Sequence, residues 1–155
     1  MTKTSFHRPL LFACALRRYF LFVGMNLLPT SWLRVLLLRL CGVKIGHGCY
    51  IGFNVIPDTN YPSLIYIGDN VTISHNCVLI AHTQSPSSPI LSRVYNSVNY
   101  INIGHGAWIG MNSVLLPGCA VGSHTLVGAG SVVSGALDDS SVYVGNPCRK
   151  IKHLD

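Results

Sequence analysis

The stretch from Ile103 to Asp138, read in sixes, is IGHGAW, IGMNSV, LLPGCA, VGSHTL, VGAGSV, VSGALD. The first place is aliphatic every time: Ile103, Ile109, Leu115, Val121, Val127 and Val133. The second is often glycine (Gly104, Gly110, Gly122, Gly128), and the fifth is mostly small (Ala107, Ser113, Cys119, Thr125, Ser131). The same register appears earlier as IGHGCY and IGFNVI from Ile45, and as IGDNVT, ISHNCV and LIAHTQ from Ile67. A period of six is neither the 3.6 of a helix nor the two of a strand. It describes a solenoid in which six residues make one short strand and one turn, and three such units close a triangular coil. The first-place aliphatics then stack into a continuous interior, with the small fifth residues where the walls converge. Glycine after the aliphatic is expected to supply a turn backbone that other residues resist. Spacing alone leaves the hand of the coil open, although parallel crossovers are overwhelmingly right-handed.

Outward from the repeat, Ser31 is placed to cap a short helix, WLRVLLLRLC, that stops at Gly42. Residues 57–66, with Pro57, Asp58, Asn60 and Pro62, read as an irregular excursion between coils. Residues 84–100 leave the pattern and are rich in Pro, Ser and Asn, a loop thrown out from a rigid scaffold. The expected organisation is an N-terminal helical, amphipathic segment over 1–42, the solenoid over 43–146 and a tail over 147–155.

The chain has 155 residues, about one domain, and at 49% apolar and 10% charged it is too apolar to be disordered. Eleven Lys+Arg stand against five Asp+Glu, with no Glu at all, so an anionic partner such as a nucleotide-bearing cofactor or an acidic lipid surface is expected. No aromatic-and-basic cluster resembles a nucleic-acid module. The six cysteines form no C-x-x-C pair, which argues against structural zinc, and they read as reduced thiols in a cytoplasmic protein. Arg17 and Arg18 split the N-terminal apolar run below the roughly 20 residues a spanning helix needs. That segment has two readings. It either rests on a membrane surface through its apolar face and Arg17, Arg18, Arg34 and Arg39, or it caps the open end of the solenoid.

Among the histidines, His47, His75 and His105 hold the third place of a hexad and His124 the fourth, outward turn positions where polar residues are simply tolerated. His82 differs because it sits where the repeat gives way to the long loop. Cys49, Cys77 and Cys119 fall in the small inward place, so packing explains them and a cysteine nucleophile is rejected.

The tandem [LIV]-G-x-x-[small]-x units resemble the hexapeptide-repeat acyltransferases over roughly residues 43–152. GHGAWIGMNSVLLPGCAVGSHTLVGAGSVV followed by VGNPCRKI is similar to their maltose, galactoside and polysaccharide O-acetyltransferase branch. The resemblance implies an all-β solenoid, a left-handed parallel β-helix, that assembles as a homotrimer and uses acetyl-CoA as co-substrate. It implies direct transfer to a hydroxyl of a sugar or surface-polysaccharide precursor, with His82 as the catalytic base. Coenzyme A would lie between solenoids, with Trp108 and Gly110 near the thioester and Ala129 along the pantetheine arm. Pro147, Arg149 and Lys150 would take the nucleotide end. Relatives often orient the histidine with a carboxylate, and no acidic residue lies between 70 and 137. Asn76, Asn99, Asn102, a backbone carbonyl or an Asp from elsewhere such as Asp69 are the expected substitutes. A serine or amine acceptor, a zinc enzyme of the γ-carbonic anhydrase type and a non-catalytic scaffold are the competing classes; the histidine spacing does not match the zinc pattern.

Overall fold

The computed structural model describes residues 16, 19–20, 23–83, 87–94 and 97–154. Parallel strands, most only two residues long, stack into the three walls of a prism. The first face holds β1 (Lys44–Ile45), β4 (Ile65–Ile67), β7 (Ile101–Ile103), β10 (Ala120–Val121) and β13 (Ala136–Leu137). The second holds β2 (Tyr50–Ile51), β5 (Thr72–Ile73), β8 (Trp108–Ile109), β11 (Leu126–Val127), β14 (Ser141–Val144) and β15 (Arg149–His153). The third holds β3 (Ile56–Pro57), β6 (Val78–Leu79), β9 (Val114–Leu115) and β12 (Val132–Val133).

Strands this short have no stability of their own, so the coils hold one another. The first-place residues Ile103, Ile109, Leu115, Val121, Val127 and Val133 are all buried, as are the fifth-place Ala107, Ser113, Cys119, Thr125 and Ser131. Each buried aliphatic contributes roughly 1.5–3 kcal/mol. Cys77 and Cys119 belong to this core, and burial pushes the Cys119 thiol up to about 12. Every cysteine among the described residues is a free thiol.

The glycines correct one expectation. The left-handed backbone falls at the fourth place of the hexad, on Asn54, Asn70, Asn76, Gly106, Asn112, Gly118, His124 and Gly130. Second-place glycines serve close approach instead: a Cβ on Gly104 would lie 2.6 Å from Ser123 N in the next coil.

A helix covers the N-terminal end of the prism. Helix α1 (Ser31–Leu40) packs on the first coil. It ends in a Schellman motif, in which Val43 N–H donates to Leu38 O and Gly42 N–H to Arg39 O, with Gly42 at φ 103°. Ser31 does not cap the helix: Thr30 is the N-cap, and the Ser31 hydroxyl accepts from Ile51 N–H at 2.8 Å. Arg34 is buried, donating to Ile51 O at 2.9 Å and Leu28 O at 2.6 Å, with Phe53 under its guanidinium. Arg39 donates to Ile45 O and Gly46 O. Both arginines therefore tie α1 to the solenoid, and Arg34 faces away from any membrane surface. Arg17 and Arg18 lie outside the described residues. At the far end, the expected tail is largely a strand, with β15 pairing antiparallel to β14.

Candidate active site

The chain leaves the hexad twice, on successive coils and at the same corner, between the third face and the first. The first departure follows β3 and runs through Asp58 to a 3-10 turn at Pro62–Leu64. The second follows β6 and contains the long loop. Within that loop the structure places a helix, α2 (Pro89–Val94), where the sequence suggested only irregular chain. Residues 84–86 and 95–96 lie outside the described residues. The loop closes at a neck where His82 bridges Val98, Thr83 N–H donates to Ser97 O at 2.8 Å and Asn99 N–H to Ala81 O at 2.9 Å. His82 stands in this neck, with a side chain 21% exposed.

Because Pro57 pairs with Leu79, Asp58 starts one coil below the strand that delivers His82. Its carboxylate, 1% exposed, accepts from His82 Nδ1. The same oxygen, Oδ2, accepts from Ala81 N–H at 2.9 Å, while Oδ1 accepts from the N–H groups of Asn60 (2.8 Å) and Tyr61 (3.0 Å). Burial pushes this carboxyl up, but the bonds from His82, Tyr61, Asn60 and Ala81 outweigh it and hold it below the ordinary range. The carboxylate beside His82 thus comes from elsewhere in the chain, one of the expected alternatives. Asp58 is the orienting group, and neither Asp69 nor an asparagine takes that place. Asp69 instead accepts from His47 N–H at 2.7 Å.

An ionised carboxylate has only lone pairs to offer, so His82 Nδ1 carries a proton, and in the neutral imidazole it is Nε2 that presents a lone pair. Asn60 Nδ2 lies 3.0 Å from Nε2, and the Tyr61 ring meets the imidazole edge-on at 5.2 Å between centroids. This arrangement fixes the orientation of the ring. No other histidine ring among the described residues bonds to a carboxylate in this way; the His47 bond to Asp69 is made by its backbone N–H. His75 Nδ1, for example, accepts from Phe53 N–H at 2.8 Å and its ring stacks on Phe53.

The expected cofactor residues collect elsewhere, along the corner between the second and third faces. Trp108 is 52% exposed on β8 and donates from Nε1 to Ser74 Oγ at 3.1 Å. Gly110 follows it, and a Cβ there would lie 2.6 Å from Ala129 N, so coil stacking by itself accounts for this glycine. Its N–H donates to Val127 O at 2.7 Å, within the ladder between coils. Some third-place amides donate to the third-place side chain one coil on, as Ser123 N–H does to Asp139 and His47 N–H to Asp69. Above Met111 that side chain is Ala129, and Met111 N–H finds no acceptor among the described residues. Pro147, in a cis peptide bond, follows Gly145 at the end of this edge. Arg149 Nη1 donates to Cys148 O, and Lys150 Nζ is engaged with Asp138 at 2.8 Å on the surface, where such pairs are weak.

The third face separates the two corners, so one chain does not bring His82 together with Trp108, Met111 and Ala129. Outward on that face stand Ile56, Val78, Val114 and Val132, a strip of branched apolar side chains in register. No group of three potential metal ligands occurs among the described residues.

Residues 100–135 match the family described as bacterial transferase hexapeptide (six repeats). Galactoside O-acetyltransferase of Escherichia coli (strain K12) is 33% identical over 114 residues, 73% of this chain and 55% of that protein. YvoF of Bacillus subtilis (strain 168), which bears an acetyltransferase name, is 32% identical over 134 residues, 86% of this chain and 70% of the relative. Among solved structures, a maltose O-acetyltransferase from Clostridium difficile 630 superposes with a TM-score of 0.65 at 25% identity, covering 92% of this chain and 89% of that one. The chain thus spans little more than half of the galactoside enzyme it matches. The coil is a left-handed parallel β-helix, as the resemblance implied and against the usual hand of parallel crossovers.

Proposed function

The chain belongs to the hexapeptide-repeat acetyltransferase family, and from that premise we propose that it moves an acetyl group from acetyl-CoA to a hydroxyl of a sugar or surface-polysaccharide precursor. The observation that carries this reading is the buried Asp58 holding His82 with its Nε2 lone pair outward. An alcohol is a poor nucleophile at neutral pH, so its proton must leave as it attacks, and a correctly oriented imidazole accepts it. Asp58 fixes the tautomer and stabilises the imidazolium that forms. Both substrates bind together, and no acyl-enzyme is needed.

The acetyl donor fits the other corner. Trp108 offers an exposed aromatic face, Ala129 leaves room for an extended arm, and Arg149 and Lys150 offer cations to phosphates. Met111 N–H is a ready donor for the oxyanion that develops on the thioester carbonyl. Since base and donor site occupy different corners, the proposed assembly is a homotrimer whose third faces pack inward, bringing His82 of one copy to the Trp108 edge of the next. The strip Ile56, Val78, Val114 and Val132 is suited to that burial. We place the reaction in the cytoplasm. Trp32, Leu36 and Leu40, which α1 leaves exposed, supply the apolar stripe for contact with a membrane-borne acceptor.

The test is calorimetric titration with CoA, followed by an acceptor screen with acetyl-CoA. Saturable binding near one per subunit, weakened by changing Arg149 and Lys150, together with acetylation of a sugar, supports the reading. No binding at millimolar CoA overturns it in favour of a scaffold, and preference for serine or amines moves it to the other acceptor class.

A further inference from the structure

We propose that Asn60 shields the catalytic nitrogen of His82 in the resting protein and gives way only to the acceptor hydroxyl, so that the acetyl group is not lost to water. This deepens the reading of His82 as the base and rests on it. The carboxylate of Asp58 obliges Nδ1 to donate, which in the neutral ring leaves Nε2 as an acceptor, and the amide of Asn60 stands 3.0 Å from it. Its N–H therefore fills the place that the acceptor's O–H must take before its proton can be abstracted.

The shield is built by the group that orients the base. Asp58 Oδ1 accepts from the N–H groups of Asn60 and Tyr61, an Asx turn that fixes the backbone carrying the amide. Pro57 and Pro62 bracket this turn, and the Tyr61 ring covers the imidazole from the side. One buried carboxylate thus sets the tautomer of the ring and the position of the group that occupies its far nitrogen. Asn60 itself is exposed, so an arriving acceptor can reach its amide.

A bare Nε2 beside a bound thioester would activate water. The water O–H bond breaks as its proton passes to Nε2, and its oxygen bonds to the acetyl carbon. The C–S bond then breaks, and the leaving thiolate takes the proton back, giving acetate and CoA. A lone water has little to offer in exchange for the amide. A sugar hydroxyl arrives with the binding energy of its whole ring and can displace it.

Diethylpyrocarbonate, which acylates the unprotonated ring nitrogen, tests the shield without any acceptor. Peptide mapping by mass spectrometry would follow His82 in the wild type and in Asn60→Ala, with His75 and His105 as internal controls. The expected result is that His82 reacts about fivefold faster in the variant, the factor held by a hydrogen bond of about 1 kcal/mol, while the controls keep their rates. Equal rates at His82 overturn the proposal. Acceptor-free hydrolysis of acetyl-CoA should rise by a similar factor in Asn60→Ala, and an unchanged rate in a protein that does acetylate sugars overturns water exclusion. A faster His82 reaction with acetyl-CoA untouched by either protein upholds the shield and overturns the acetyltransferase reading.

Discussion

At the corner between the second and third faces the turns keep strict hexad spacing, whereas at the next corner the chain departs twice, through 58–64 and 80–100. Regular turns spend their polar groups on the coil: Gly110 N–H goes to Val127 O, and Phe53 N–H to His75. A histidine there is consumed by stacking. The departures free the backbone from that ladder, and because they emerge one above the other they set Asp58 against His82. The regular corner thus holds its side chains in coil-to-coil bonds, whereas the irregular one sets a carboxylate against an imidazole.

The comparison breaks most sharply at the base. His82→Ala should lower acetyl transfer by about 10²–10⁴-fold with CoA affinity nearly intact, while His75→Ala leaves turnover within a few-fold; comparable losses in both would erase the distinction. Asp58→Asn should cost roughly 10²-fold in kcat, since the amide no longer dictates the tautomer. It should also change the pH response of folding. Asp58 titrates below its ordinary value near 3.8 when folded, so its stabilisation is present above that pH and is lost as pH falls through the folded value. Thermal unfolding followed downward from pH 5 should therefore fall less steeply in Asp58→Asn than in the wild type.

The regular corner is sharpened by a pair of turn substitutions. Gly110→Ala meets backbone at 2.6 Å and should destabilise by about 1–3 kcal/mol, whereas Asn112, at φ 58°, should cost about 1 kcal/mol as Ala and little as Gly. Equal costs for Gly110→Ala and Asn112→Gly in denaturant unfolding would contradict the assignment of space to the second place and φ to the fourth. The smallest effect is expected at Lys150→Ala, whose exposed pair with Asp138 should leave the melting temperature unchanged while CoA affinity, read by calorimetry, falls several-fold.

Much of the molecule was legible in the residues. The aliphatic first place and small fifth place predicted the interior, and the break after LIAHTQ marked the neighbourhood of His82, although only the family resemblance separated it from His75. Three things were not legible. Asp58 lies 24 positions before His82, across a coil lengthened by the first excursion, and no spacing rule anticipates that offset. The role of Asn60 depends on a turn built by that same carboxylate. The open amide of Met111 appears only when Ala129 is seen above it.

The sequence by itself determined the period, the core and the places where the repeat fails, since those follow from which side chains can be buried and how often. Only the tertiary structure decided which departures meet. Coil length, and with it the vertical neighbour of each residue, depends on how many residues each excursion adds, and hydrogen bonds between coils are made by neighbours in space.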